Sequence, residues 1–237
     1  MSAWEEPWQL GALDVGPARR LRLSALLGRL EQASIAHTTA LGMGREKTLD
    51  RGLLWALSRI RLEFARQPVY GERLTLATWP GETLHALFPR YYELRGESGE
   101  RVMLGCALWL LMDERTRTMA FPDEHGVCVP GLTRGCEPPL PPALLPFAGE
   151  QTERTVLYSD TDLNGHMNNA RYADWADDLL GGAYLGAHTL RLAQLNYQRE
   201  ALEGRTLLLK SRLQDGTLRA AGRLDAARAF DLLEEFV

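Results

Sequence analysis

The sequence predicts an α+β layered fold, a long helix packed on an antiparallel sheet, with that arrangement present twice. Two observations carry this. Alternating apolar and polar runs recur in both halves, and a stretch of helical periodicity precedes each set. Two segments also match in register. Residues 62–76, LEFARQPVYGERLTL, and 195–209, LNYQREALEGRTLLL, share a leucine, an aromatic, an arginine and a glycine ahead of an alternating strand. Upstream of each lies a turn-rich stretch before a helix, with Asp14, Gly16 and Ala18 set against Asp162, Asn164 and His166. Self-similarity of this kind indicates one structural unit built twice.

Taken in order, residues 21 to about 41 predict the first helix. Leu23, Leu26, Leu27, Leu30, Ala33 and His37 keep its period, and Gly42 stops it. Strands follow at 53–64 and 73–79, the latter closed by Pro80-Gly81. A hairpin follows at 84–94 and 102–112 around GESGE. Seven prolines fall between 122 and 146, a stretch unable to form a sheet interior and therefore read as a linker. Beyond it the sequence predicts a short strand at 154–158 and a helix from about Asn169 to about Leu185. Asn168 or Asn169 is the expected N-cap, and Tyr172, Trp175, Ala176 and Leu179 form one face. Strands at 189–199, 206–213, 218–224 and 228–236 complete the chain, with Asp215-Gly216 as a hairpin turn.

The bulk numbers narrow the function. The 237 residues are 45% apolar and 24% charged, ordinary for a globular protein. A net charge of −4 argues against a general nucleic-acid binder. Cys106, Cys128 and Cys136 are odd in number and lack metal spacing, which favours a reduced, cytoplasmic setting. The start, MSAWEEPWQL, has no signal-peptide core, and no apolar run is long enough for a membrane span.

The most informative segment is 158–175, YSDTDLNGHMNNARYADW. Alone, a D-x-N-x-H run is most simply an Asx-rich turn whose side chains bond their own backbone. A zinc site is a weak rival, because His166 has no His or Cys partner at ligand spacing. The repeat raises a catalytic reading. Where the second copy carries Asn164, His166 and Glu200, the first carries Gly16, Ala18 and Gln67, as in a duplicated unit that keeps one active site. A carboxylate, an amide and an imidazole at alternating positions would meet the unpaired N–H groups of a helix start, a setting suited to a carbonyl that becomes an oxyanion.

These blocks together resemble the fatty acyl-ACP thioesterases of plants and bacteria, a family with a tandem (double) hotdog fold. The resemblance rests on ASIAHTTALGMG, RGLLWALSRIRLEFARQPVYGERLTLATWP and CALWLLMDERTR in the first half, and on YSDTDLNGHMNNARYADW and LNYQREALEG in the second. It implies an N-terminal hotdog unit over 1–121, inactive and holding the acyl chain, a linker over 122–149, and a C-terminal hotdog unit over 150–237 carrying the catalytic loop. It implies hydrolysis of the thioester of acyl-acyl carrier protein, borne on 4′-phosphopantetheine, to release free fatty acid in fatty acid biosynthesis. The family's functional residues fall on Asp162, Asn164, His166 and Glu200. No cofactor or metal is expected, and the reading leaves room for a homodimer. Plant members often carry a cysteine directly after the glutamate; this chain has Ala201. Water attack assisted by Glu200 is therefore the first expectation, with Asp162 as rival base or nucleophile. An acyl-CoA thioesterase, a non-catalytic acyl-thioester sensor and, more weakly, a hydratase remain alternatives on the same scaffold.

Overall fold

The computed structural model describes residues 2–237. In chain order the elements are β1 (Trp4–Gln9), α1 (Leu23–Ala40), β2 (Leu53–Phe64), β3 (Arg73–Pro80), β4 (Leu87–Gly96), β5 (Arg101–Asp113), α2 (Pro122–His125), β6 (Glu150–Thr155), α3 (Arg171–Ala187), β7 (Leu190–Tyr197), β8 (Thr206–Gln214), β9 (Thr217–Leu224) and β10 (Ala227–Phe236). They group into two compact units. One takes the N-terminal stretch through Gln9 with Gly28–Leu62 and Glu72–Pro141; the other takes Leu10–Leu27, Glu63–Gly71 and Pro142–Val237.

The first unit orders its strands β1-β3-β4-β5-β2. On β4, Arg90 and Tyr92 alternate with residues of the opposite face and reach α1. Tyr92 Oη and Ser34 Oγ share a 2.8 Å hydrogen bond. Arg90 is buried, and its guanidinium donates to Thr38 Oγ1 at 2.7 Å and to Thr78 Oγ1 and His37 Nδ1 at 3.3 Å each. These acceptors are neutral, and the adjoining C-terminal turn of α1 presents carbonyl ends that favour a cation. Burial, aided by Arg90, lowers the His37 pKa to about 4, so the ring is neutral at pH 7. Beyond Arg90, Phe88 joins Leu53, Leu111, Ala120, Val127 and Val129 in an apolar cluster.

The second unit orders its strands β7-β10-β9-β8-β6. Helix α3 lies on β10, with Tyr172 4.6 Å from Phe230 and Tyr184 5.4 Å from Phe236 between ring centroids. Strand alternation puts Leu232 and Glu234 on that same face. Glu234 is 1% exposed, and neither of its carboxyl oxygens has a hydrogen-bond partner. Burial raises its pKa well above the ordinary carboxylate value, and Asp177 of α3 raises it further.

The strand and helix limits read from periodicity agree with the structure to within a few residues, except in four places. β1 carries no alternation that marks it in the sequence: its six residues pair antiparallel with β3 at a sheet edge, where a proline such as Pro7, with no N–H to donate, is tolerated. The strand expected at 154–158 lies at Glu150–Thr155, because Tyr158–Asp160 forms a 3-10 turn held by a hydrogen bond from Leu157 N–H to Asp160 Oδ2. Leu179 is 37% exposed and does not belong to the buried face of α3, which is Tyr172, Ala173, Trp175 and Ala176. α3 is also broken at Gly181 (φ 76°, ψ 162°), a conformation that glycine adopts without penalty. The Asp215-Gly216 turn has both residues at positive φ, as a two-residue hairpin requires. The 122–149 stretch holds one helical turn, α2, and no strand.

Candidate active site

The turn ahead of α3 is built by its own polar side chains. Asp162 Oδ1 accepts from Asn164 N–H at 2.8 Å, an Asx turn. Gly165, at φ 78°, then lets the chain double back, and its N–H donates to Asp162 O at 3.0 Å. Asp162 N–H donates to His166 O, also at 3.0 Å, closing the loop. A second segment holds it in place: Met167 N–H donates to Ala201 O at 2.7 Å, and His166 bridges Leu202. Glu200 is thereby brought beside the loop.

The imidazole of His166 stands between two carboxylates. Its Nδ1 is 3.8 Å from Asp162 Oδ1 and its Nε2 is 3.7 Å from Glu200 Oε1. Both distances are too long for hydrogen bonds and leave room to tighten around a bound substrate. The Glu200 side chain is 38% exposed, against 19% for His166 and 17% for Asp162, so Glu200 is the carboxylate that solvent reaches most freely. Behind it the buried Tyr172 phenol is pushed above its ordinary pKa, first by burial and then by the charge of Glu200.

Of the four expected residues, the structure therefore brings Asp162, His166 and Glu200 together. Asn164 is exposed and joins through its backbone N–H. The helix start differs from expectation. The residue preceding α3 is Ala170, and neither asparagine caps the helix as expected. Asn168 Oδ1 accepts from Ala170 N–H at 2.9 Å, while Arg171 N–H and Ala173 N–H bond to Asn168 O and Ala170 O. Those three donors are occupied and do not serve an oxyanion. Asn169 instead offers its carbonyl to Tyr197 Oη at 2.9 Å, a tie between α3 and β7 that no sequence pattern announces. Among the described residues, no group of three or more His, Cys, Asp or Glu side chains could hold a metal ion.

The backbone also corrects the register of the repeat. Gly16 N–H donates to Arg20 O as Asp162 N–H does to His166 O. Leu21 N–H donates to Pro68 O as Met167 N–H does to Ala201 O, and Arg22 N–H to Asp14 O as Asn168 N–H to Asp160 O. The counterparts of Asp162, Asn164, His166 and Glu200 are thus Gly16, Ala18, Arg20 and Gln67, two residues away from the sequence match in the first loop. The first-copy positions are engaged in structural roles. Arg20 Nη1 donates to the carbonyls of Leu185, Gly186 and His188 at the negative end of α3. Gln67 donates to Leu21 O and accepts from Leu190 N–H.

Comparison with known proteins finds matches over most of the chain. The model of the acyl-ACP thioesterase N-terminal domain matches residues 2–125, and that of the acyl-ACP thioesterase C-terminal domain matches 147–221. The chain is 25% identical over 203 residues to the chloroplastic dodecanoyl-[acyl-carrier-protein] hydrolase of Cinnamomum camphora, covering 79% of this chain and 53% of that one. It is 22% identical over 224 residues to the chloroplastic palmitoyl-acyl carrier protein thioesterase of Gossypium hirsutum, covering 88% and 54%. The chain thus spans about half the length of these curated relatives. Among solved structures, an acyl-ACP thioesterase from Bacteroides thetaiotaomicron superposes with a TM-score of 0.91 at 20% identity over 100% of both chains. The 12:0-ACP thioesterase from Umbellularia californica gives 0.82 at 20% identity over 99% of this chain and 97% of that one. At these identities the superpositions establish a shared fold.

Proposed function

This chain belongs to the acyl-ACP thioesterase family, and from that premise we propose that it hydrolyses the thioester of an acyl chain carried on acyl carrier protein. The observation that carries the reading is the imidazole of His166 held between Asp162 and Glu200 on a loop closed by its own backbone bonds. The fold we infer is a tandem hotdog with one active site, in the second copy, because the first copy has Gly16, Ala18, Arg20 and Gln67 at the four equivalent positions.

In this mechanism Glu200 takes a proton from water as the water oxygen attacks the thioester carbon. The carbonyl becomes an oxyanion, polarised by the His166 side chain, since the helix-start amides at Ala170, Arg171 and Ala173 are occupied. Collapse of the intermediate breaks the C–S bond, and the proton taken up by Glu200 passes through His166 to the departing thiolate, which restores both side chains. The products are a fatty acid and the carrier's free thiol. Asp162 orients the loop and faces His166 Nδ1. General-base assistance of this kind contributes about 10²–10⁴-fold.

The surface around the loop favours a protein-borne substrate. Leu163 is 94% exposed and Tyr158 80%, with Leu157 and Leu202 also exposed on segments bonded to the loop. An apolar rim of that kind beside a polar site suits contact with a macromolecule. The test is hydrolysis of purified acyl-ACPs and acyl-CoAs of graded chain length. Higher kcat/KM on acyl-ACP supports the reading. Preference for acyl-CoA would assign the other carrier, and no hydrolysis of either would leave a binding protein.

A further inference from the structure

Strand β7 ends at Tyr197, and Gln198, Arg199 and Glu200 lie beyond it, exposed and outside the ladder. Something other than sheet pairing must hold Glu200 in place. On the far side, Ala201 and Leu202 are fixed by the bonds to Met167 and His166 described above. On the near side, Gln198 N–H and Arg199 N–H both donate to Ala229 O, at 2.9 and 3.1 Å, beside the register shift between Arg228 and Phe230. The Gln198 amide then donates from Nε2 to Asp231 Oδ2 at 2.8 Å, and Arg228 Nη1 lies 3.3 Å from the same oxygen.

Asp231 is a poor choice for stability. Its side chain is 3% exposed, and Oδ1 is buried without a hydrogen-bond partner. Burial raises its pKa, against the lowering effects of the Gln198 hydrogen bond and of the Arg228 and Arg219 charges. A buried carboxyl with one oxygen unpartnered destabilises a fold relative to an apolar side chain of similar size. We propose that Asp231 is a positioning residue for the reaction: through Gln198 it fixes the segment that sets Glu200 against His166. This rests on the assignment of Glu200 as the base in acyl thioester hydrolysis. Misplacing a catalytic group by about 1 Å lowers rates by up to about 10²-fold, which gives the linkage its functional weight.

The test uses Asp231→Leu, Asp231→Asn and Gln198→Leu in the full chain. Asp231→Leu should lower kcat about 10- to 100-fold with KM nearly unchanged, while the melting temperature holds or rises. Asp231→Asn, which still offers an oxygen to Gln198, should restore most of kcat. Gln198→Leu should match Asp231→Leu, and the double variant should be no worse than either, because both remove one linkage. The exchange rate of the Met167 amide, read by NMR without substrate, should rise in Asp231→Leu and Gln198→Leu. Unchanged kcat and exchange in Gln198→Leu, or an activity loss in Asp231→Leu that only tracks loss of folded protein, would overturn the proposal. If the parent hydrolyses no thioester, the functional reading fails by itself, and the Met167 exchange rate still decides whether Asp231 orders this segment.

Discussion

Replacing Asp177 by asparagine should make the protein more stable at neutral pH and leave it unchanged in acid. Asp177 lies on α3 among like charges, with Asp174 and Asp178 on its own helix and Glu234 facing it from β10; Arg22, just before α1, is the opposing cation. Burial first, and then Asp174 and Asp178, raise its pKa from 3.8 to about 6. Between those values the unfolded chain has released the proton and the folded chain keeps it. The folded state binds more protons there, so stability falls as pH rises, and above about 6 the full penalty remains. About two pH units at about 1.4 kcal/mol each put the penalty near 3 kcal/mol. For a chain of this size that corresponds to about 6–12 °C in melting temperature. The assay is urea unfolding of parent and Asp177→Asn from pH 4 to 8. The difference should be small at pH 4, grow through pH 5 and 6, and level off by about pH 7. Glu234→Gln removes the facing carboxyl, so the two effects should couple rather than add. A stability difference independent of pH, or one favouring the parent at pH 7, would refute the reasoning.

Further outcomes follow from the same structure. Burial pushes the Cys106 thiol pKa up to about 12, so it stays protonated at pH 7; with Ala201 beside Glu200, the triple Cys→Ala variant should keep its turnover per folded molecule while losing some stability, as measured by initial rates normalised to circular dichroism. Leu163→Asp should reduce kcat/KM on acyl-ACP, chiefly through KM, and leave turnover of a small acyl-pantetheine thioester nearly unchanged, because Leu163 projects from the loop into solvent.

The regular elements were legible because each has a clean period. β2 runs Leu53–Phe64, as its alternation predicts, and β8 to β10 fall within a residue or two of theirs. β1 was hidden because its two acidic residues and Pro7 give it the composition of a tail, and only pairing with β3 makes it a strand. The repeat in the sequence points to the proximity of Asp162, His166 and Glu200, although a side-by-side match sets the first loop two residues out of register. Gly16 and Ala18 look like the counterparts of Asn164 and His166 when sequences are laid side by side. The backbone bonds show that the shared feature is the bend, with Arg19 (φ 59°) standing where Gly165 stands. The buried groups under α3 and behind β7 were not legible at all. Nothing in the spacing of Glu234, Asp177 or Asp231 distinguishes them from solvated charges, because their burial depends on strand order and on where α3 crosses β10.

The most direct test of the central claim is the single-turnover release of fatty acid from acyl-ACP by the parent and by Glu200→Gln, normalised to folded protein. The substitution preserves size and removes only the base. The parent should release fatty acid, and Glu200→Gln should do so at least about 10²-fold more slowly while still binding acyl-ACP. Equal rates would contradict the assignment of Glu200 and the mechanism built on it.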